Sequence, residues 1–143
     1  MEERREYLLA LDGGTGSFRA ILFQKDGVQK AIEQIEWEHP VYDEYPGSVG
    51  FDFEKNWEII QRCIRNLIEK NNIAPEDIKG ISTDSMREGF ILYDENQKEL
   101  IGFSNIDARA KEEVISLKRE HPTLEMEIYL ETGETFALSA VPR

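Results

Sequence analysis

A short turn rich in glycine and hydroxyl side chains joins two apolar runs near the start of the chain. Residues Leu8–Phe23 read LLALDGGTGSFRAILF, with an aspartate at the mouth of the turn. Backbone N–H groups and hydroxyls in such a turn can converge on phosphate oxygens, and the carboxylate is placed to hold a hydrated cation. We therefore predict a phosphate-binding hairpin with Asp12 at the metal and a phosphate set made of Gly14, Thr15, Gly16, Ser17 and Arg19.

The same turn has a plainer interpretation as a simple connection between two strands. A hairpin needs only two or three turn residues, whereas this one adds hydroxyls and a following arginine, so phosphate binding is favoured. Two other phosphate motifs do not fit. A Walker loop would continue with Gly-Lys-Ser/Thr, and a dinucleotide fingerprint would open a helix, whereas the Gly14-x-Gly16 pair opens a strand.

A second polar cluster, STDSMREG at Ser82–Gly89, follows a predicted strand. Strand ends face ligand crevices in sheets with crossover helices. A guanidinium donates to hydroxyl or carbonyl oxygens and a carboxylate accepts from hydroxyls, so Arg87 and Glu88 suit a polyhydroxylated substrate. The alternative is a solvated strand end.

The third cluster is NIDAR at Asn105–Arg109. Asp107 could cap the helix that follows, and capping does not preclude a role at a ligand. His39 and His121 are far apart and Cys63 is the single cysteine, so we expect no zinc site. Cys63 is expected to be a buried core thiol.

Apolar periodicity predicts the elements that position these clusters. Beyond the hairpin, strands are expected at Val28–Trp37, Ile78–Thr83, Phe90–Tyr93 and Leu100–Phe103. A helix after an Asp52 N-cap should bury Phe53, Trp57, Ile60, Ile64, Leu67 and Ile68, and end at Asn71-Asn72. A second helix from about Asp107 to His121 should bury Ala110, Val114, Leu117 and His121, and end at Pro122.

Three further segments remain to be assigned. Leu124–Leu130 fits a strand or a helix, with helix favoured and Thr132-Gly133 closing it. Glu38–Gly50 carries turn residues without a period and predicts a surface loop. The residues Phe136–Val141 are expected to begin a buried segment.

Composition limits the classes of function. With 143 residues and 40% hydrophobic content the chain is the size of one domain, and its net charge of -12 argues against nucleic acid or an acidic membrane surface as partner. The apolar runs are too short to cross a bilayer, and the N-terminus has no signal-type stretch. One cysteine fits a reducing cytoplasm.

The order of three antiparallel strands, a helix and a parallel strand resembles the opening of a ribonuclease H-like domain, the α/β unit of actin, hexokinase and Hsp70-type ATPases. The fold prediction is such a domain, incomplete, with a mixed sheet that opens with three antiparallel strands. Three segments, LDGGTGSFRA at 11–20, SMREG at 85–89 and DARA at 107–110, resemble the N-terminal part of FGGY carbohydrate kinases. The resemblance covers essentially the whole chain, so residues 1–143 are expected to be the N-terminal part of the first kinase domain.

The resemblance implies ATP and Mg²⁺ as cofactors and a small sugar or polyol as substrate. It implies that Asp12 helps to hold magnesium and that Thr15, Ser17 and Arg19 contact ATP phosphates. Arg87 and Glu88 would bind substrate hydroxyls, with Asp107 and Arg109 bordering the sugar. No catalytic residue is expected in this chain, because the family's general base and adenosine pocket lie in sequence beyond residue 143, in a C-terminal domain that is absent here. The chain alone is expected to be inactive.

Three segments, at 85–89, 105–110 and 132–143, are most similar to the branch of the family that acts on the quorum-sensing signal autoinducer-2 in its open-chain dihydroxypentanedione form. Asn105 stands where many pentulose kinases carry tryptophan, which removes an apolar wall. The alternatives are a pentulose or polyol kinase for xylulose or glycerol, and a non-catalytic remnant that binds phosphate or sugar. An actin-like or chaperone-type ATPase ranks third. Exposed Phe136, Leu138 and Val141 would favour a homo-oligomer.

Overall fold

A four-stranded sheet carries the predicted phosphate-binding turn in the computed structural model, which describes residues 6–134. Strands β1 (Tyr7–Gly13), β2 (Ser17–Gln24) and β3 (Gln29–Glu36) are antiparallel, and β4 (Ile78–Ser85) pairs in parallel with β1. The order in the sheet is β3-β2-β1-β4, which confirms the predicted mixed sheet that opens with three antiparallel strands. Because β1 and β4 are parallel, the turn after β1 and the end of β4 lie at the same edge of the sheet.

Side chains along β1 and β2 alternate between the two faces of the sheet, one of which packs in the core while the other carries a charged pair near the turn. Leu9, Phe18, Ala20 and Leu22 are buried, and they share one face because successive side chains of a strand point to opposite sides. Asp12 and Arg19 are register partners across the β1–β2 pair and fall on the other face. The sheet therefore presents this charged pair away from its hydrophobic core.

The first helix, α1 (Phe53–Lys70), packs on β2 and β3. It begins directly after Asp52 and stops before Asn71, as predicted, and the Asn71 amide donates to the Leu67 carbonyl at 2.8 Å. The residues that it buries are Asn56, Ile59, Cys63 and Leu67.

The predicted buried stripe of α1 is therefore wrong in part. Trp57 is 60% exposed, and Ile60, Ile64 and Ile68 are half-buried at the flank. The physical reason lies at Cys63, whose sulfur is 3.3 Å from the Glu33 carbonyl oxygen and 3.8 Å from that of Phe18. A small side chain at this position lets the helix approach the sheet closely, so the helix turns that face inward. The prediction of Cys63 as a core thiol is confirmed.

A hairpin and two helices follow the sheet. Strands β5 (Phe90–Tyr93) and β6 (Glu99–Phe103) are antiparallel, as predicted. The Asp94 carboxylate accepts from the Asn96 and Lys98 N–H groups at 2.8 and 2.9 Å, which fixes the turn between the strands. A single 3-10 turn, Pro75–Asp77, precedes β4.

Helix α2 spans Lys111–Glu120 and begins later than predicted. The segment from Asp107 to Ala110 turns instead, because the Asp107 N–H donates to the Ser104 carbonyl and the Lys111 N–H to that of Ala108. Val114 is buried as expected, but Leu117 is 37% exposed and His121 is exposed, so the predicted stripe is wrong for these two residues.

Helix α3 spans Leu124–Thr132, which resolves the ambiguous segment as a helix. It ends at Gly133, whose φ of 75° is the left-handed cap conformation and whose N–H donates to the Tyr129 carbonyl at 2.8 Å. The expectation for Phe136–Val141 lies outside the described residues. Within residues 6–134 no helix is both long and apolar enough to cross a membrane.

The loop Glu38–Gly50 lacks helices and strands, as predicted, apart from an isolated bridge between Gly50 and Phe103. It is nevertheless well fixed. Ser48 is buried, and its hydroxyl accepts from the Tyr42 N–H at 2.8 Å and donates to the Tyr42 carbonyl at 3.1 Å.

The described residues form two compact units. One contains the residues up to Glu38 together with Phe53–Met86, and the other contains His39–Asp52 together with the residues from Arg87 onward. The predicted phosphate-binding turn thus belongs to the first unit. Arg87, Glu88, Asp107 and Arg109 belong to the second.

Candidate functional site

The turn between β1 and β2 is formed by Gly14, Thr15 and Gly16. A Cβ atom at Gly14 would lie 3.3 Å from the Ser17 carbonyl oxygen and 3.6 Å from Nη2 of Arg19. A side chain would fill this space, so the glycine leaves room for a ligand or for close approach of the arginine. A Cβ atom at Gly16 would have no atom of a non-neighbouring residue within 4 Å, so steric crowding does not require glycine at this position.

Asp12 and Arg19 form an ion pair beside this turn. Nη2 of Arg19 lies 2.8 Å from Oδ2 of Asp12, and the two side chains are 40% and 30% exposed. The structure therefore pairs the predicted metal ligand with a predicted phosphate ligand. Nε of Arg19 is buried and has no hydrogen-bond partner among the described residues. A buried guanidinium donor without an acceptor favours an anionic oxygen nearby.

A second carboxylate lies at the same edge of the sheet. The parallel pairing places Asp84 of β4 in register with Asp12 of β1. One oxygen of Asp84 accepts from the Ser85 N–H at 2.9 Å. The sequence analysis does not bring Asp84 together with Asp12, because their proximity depends on the strand register and not on distance along the chain.

Trp37 is a residue of this site that sequence reasoning missed. Its indole Nε1 donates to the carbonyl oxygens of Gly14 at 3.1 Å and Thr15 at 3.2 Å. The signal that could have found it is the β2–β3 register, which pairs Ser17 with Glu36 and so brings the next residue beside the turn.

The chemistry of these donors fits a polyphosphate with a hydrated cation. The turn offers backbone N–H groups, Arg19 offers a guanidinium, and Asp12 and Asp84 offer carboxylate oxygens. Within residues 6–134 no three His, Cys, Asp or Glu side chains converge as a metal cage. A cation held mainly by water and phosphate oxygens, with few protein carboxylates, is the usual arrangement for Mg²⁺.

In the second unit, the buried Asp107 and the half-buried Arg109 form an ion pair. Asp107 is 2% exposed, and its carboxylate accepts from the Val49 N–H at 2.7 Å and from the Arg109 guanidinium at 2.7 and 3.0 Å. The guanidinium carbon lies 4.4 Å from the ring centre of Phe103, 5.6 Å from that of Tyr42 and 5.8 Å from that of Tyr45. These cation–π contacts fix the arginine in one orientation.

Hydrogen bonding dominates the electrostatics of Asp107. Burial by itself would raise the pKa of this carboxyl, but the hydrogen bonds from Arg109 and from the Val49 N–H outweigh it and hold the pKa below its ordinary value. Asp107 does not cap α2, since Ala110 occupies the N-cap position without a side-chain hydrogen bond. The capping prediction is wrong because the carboxylate is used by the Val49 N–H and Arg109.

Arg87 and Glu88 lie in an exposed turn between β4 and β5. Glu88 has a φ of 67°, a left-handed conformation that is uncommon for a residue other than glycine. The predicted site residues thus come together in two groups. Asp12 and the phosphate set surround one turn, and Asp107 joins Arg109, while Arg87 and Glu88 stand on a strained, solvated turn of the same unit.

Comparison with known proteins gives three findings. The model of the FGGY family of carbohydrate kinases, N-terminal domain, matches residues 7–139. The autoinducer-2 kinase of Escherichia coli K12 is 46% identical over 144 aligned residues, covering 100% of this chain and 27% of that protein. The chain therefore spans about a quarter of the length of the curated relatives that it matches.

Solved structures show the same fold at lower identity. Gluconate kinase from Lactobacillus acidophilus has a TM-score of 0.74 and 22% identity, covering 92% of this chain and 26% of that one. Xylulose kinase from Rhodospirillum rubrum has a TM-score of 0.73 and 21% identity, with 94% and 27% covered. The predicted α/β fold of the actin and hexokinase type is confirmed by these neighbours.

Proposed function

The chain belongs to the FGGY family of carbohydrate kinases, and on this premise we propose that it supplies the N-terminal part of an ATP-dependent kinase for autoinducer-2 in its open-chain dihydroxypentanedione form. The reaction class is supported by the turn at Gly14, where an ion pair and an unpaired guanidinium donor meet. The substrate is supported by the 46% identity to the Escherichia coli enzyme, which extends over the whole chain.

The first unit handles the phosphates of ATP. Backbone N–H groups of Gly14–Ser17 and the Arg19 guanidinium bind phosphate oxygens, with Thr15 and Ser17 adding hydroxyls. Asp12 would hold Mg²⁺ through water, and the cation would supply positive charge against the phosphates. For this, Arg19 would exchange its bond to the Asp12 carboxylate for a bond to a phosphate oxygen.

The second unit handles the sugar or polyol. Arg87 and Glu88 are exposed, and one donates while the other accepts, which suits neighbouring hydroxyls. Arg109 borders the same substrate, and the Asp107 carboxylate holds the Arg109 guanidinium in place. Asn105 is polar where many pentulose kinases have tryptophan, which is compatible with a linear substrate rich in carbonyl groups.

The remaining parts of the reaction lie outside this chain. The general base that takes the proton of the substrate hydroxyl, and the pocket for adenosine, belong to a C-terminal domain of the same kind as in the relatives. That domain is the principal partner that we propose, and a second copy of this chain, forming a homo-oligomer, is the other. A protein with one cysteine that uses ATP fits the cytoplasm.

Phosphate binding is tested by titrating the purified chain with MgATP in a calorimeter. Arg19→Gln should weaken binding on the order of tenfold, because it removes charge-assisted hydrogen bonds, and Asp12→Ala should remove the magnesium dependence of binding. Arg62→Gln, an exposed arginine on α1, is the matched control and should bind as wild type. Equal affinity in all variants would place the phosphates elsewhere.

Activity is tested by ADP release with dihydroxypentanedione, xylulose and glycerol in parallel. The chain alone should release ADP no faster than Asp12→Ala, because the base is missing. Turnover that vanishes in Asp12→Ala would mean that the chain supplies its own base, and would contradict our division of the reaction between two domains.

Substrate choice is tested in a chimera. This chain replaces the corresponding 27% of the Escherichia coli autoinducer-2 kinase, whose remaining part contributes the missing residues. The chimera should phosphorylate dihydroxypentanedione far faster than xylulose or glycerol, and an Arg87→Gln chimera should lose activity chiefly through a higher KM for that substrate. Preference for xylulose or glycerol would make the chain part of a pentulose or polyol kinase.

A further inference from the structure

One residue contacts every carbonyl of the phosphate-binding turn. The indole N–H of Trp37 donates to the carbonyls of Gly14 and Thr15 at 3.1 and 3.2 Å, and its backbone N–H donates to the carbonyl of Gly16 at 3.2 Å. Three successive acceptors are thus bound from the same side.

The orientation of the opposite groups follows from the planar trans peptide. The carbonyl of one residue and the N–H of the next point in opposite directions. With the carbonyls of Gly14, Thr15 and Gly16 directed at Trp37, the N–H groups of Thr15, Gly16 and Ser17 point to the other side of the turn. Successive backbone N–H groups directed into one concavity form an anion-binding nest.

Packing fixes the ring that makes these bonds. Trp37 is 7% exposed, and its ring centre lies 6.0 Å from that of Phe18 at a tilt of 46°. A Cβ atom at Gly13 would lie 3.5 Å from Cη2 of the indole. The ring therefore fills the space behind the turn, where it cannot move away without opening a cavity.

We propose that Trp37 is a positioning residue that holds the turn with its N–H groups directed at the phosphate. The proposal rests on the proposed function for the identity of the anion, and it goes beyond that function in assigning a role to a residue that touches no ligand. A smaller aromatic ring without the N–H would free two carbonyls to rotate, so the nest would lose its fixed geometry before any ligand arrives.

The test compares the two tryptophans of the chain. Trp37→Phe keeps an aromatic ring and removes the indole donor, and Trp57→Phe, at a residue 60% exposed on α1, is the matched control. Affinity for MgATP and for inorganic tripolyphosphate should fall about tenfold in Trp37→Phe, as expected for two weakened hydrogen bonds, and should be unchanged in Trp57→Phe. Equal affinity in both variants would overturn the proposal.

Hydrogen exchange distinguishes a positioning role from a general contribution of Trp37 to stability. In Trp37→Phe the amides of Thr15, Gly16 and Ser17 should exchange faster, while those of Ala20 and Leu22 in the core keep their protection. Uniformly faster exchange would indicate loss of global stability and would contradict a positioning role. This measurement needs no ligand, so it tests the proposal even if the wild-type chain fails to bind MgATP and the proposed function is wrong.

A variant with Trp37 intact covers the case in which Trp37→Phe does not fold. In Trp57→Phe the remaining indole is Trp37, and its N–H resonance should shift when tripolyphosphate is added. An unchanged resonance at saturating tripolyphosphate would mean that the indole N–H does not sense the occupied turn, and would overturn the proposal.

Discussion

The Asp107 carboxylate joins the loop before α1 to the segment before α2, because it accepts from the Val49 N–H and from Arg109. Asp107→Asn removes the buried charge of this ion pair and should cost on the order of 2–4 kcal/mol at neutral pH. The measurement is urea unfolding followed by circular dichroism.

The pH dependence of this effect has a definite sign. The pKa of Asp107 is lowered in the folded chain, so its stabilisation is complete above the unfolded pKa of about 4 and is lost as the pH falls through the folded pKa. Asp107→Asn should therefore flatten the fall of stability below about pH 4. Asp43→Asn, in the exposed part of the same loop, serves as the control. An equally steep fall in Asp107→Asn would assign the acid sensitivity to other carboxyls.

At the scale of elements, the loop before α1 depends on Gly47. Its φ is 84°, a Cβ atom there would lie 3.1 Å from the Ala108 carbonyl oxygen, and the Ala108 N–H donates to the Gly47 carbonyl at 2.8 Å. Gly47→Ala adds both backbone strain and a close contact. Gly27→Ala adds strain alone, since Gly27 has a φ of 86° with nothing within 4 Å.

Gly47→Ala should therefore lower the free energy of unfolding by about 1 kcal/mol more than Gly27→Ala does. Urea denaturation of the two variants beside wild type measures the difference. If the two substitutions lower the free energy of unfolding equally, the loop can move away from Ala108, and the close contact at Gly47 adds no cost.

Local pattern was enough to predict most elements. The strands, the hairpin at Asp94 and the start and end of α1 follow from apolar spacing and turn residues. The buried face of α1 does not, because Trp57 and Ile60 are more apolar than Asn56 and Cys63, and only the contact of the small Cys63 with the sheet decides which face turns inward. Helix α2 begins late for a related reason, since Asp107 is used by a distant loop.

The residues of the candidate site likewise differ in whether local sequence could identify them. Asp12, Gly14 and Arg19 could be found because they are close in sequence and their types are suited to phosphate chemistry. Trp37 and Asp84 could not, since they reach the turn through the registers of β3 and β4. Arg109 was found through its resemblance to a family pattern, but its aromatic neighbours Tyr42 and Phe103 come from other segments.

The charge of the whole molecule sets its response to salt. The chain carries a net charge of -12 on 143 residues, and its like charges repel one another most strongly at low ionic strength. The screening length is about 30 Å at 0.01 M salt and about 10 Å at 0.1 M. The urea midpoint should therefore rise as NaCl increases over this range, because screening favours the more compact state.

A matched variant isolates the cause. Glu58→Gln with Glu69→Gln, both exposed on α1, removes two negative charges and should be more stable at low salt, with a weaker salt dependence. A midpoint that falls with added salt would show that ion pairs such as Lys70–Glu33 outweigh the general repulsion.

The position of Trp37 directly after β3 has a consequence for the time at which the site forms. Asp12, Arg19 and Trp37 all leave the ribosome before α1 is made, and the two hairpins that join them close over short loops, which form quickly. Strand β4 can pair with β1 only after α1 has been synthesised. In the order of synthesis, the turn and the indole behind it can therefore assemble while Asp84 is still to be translated.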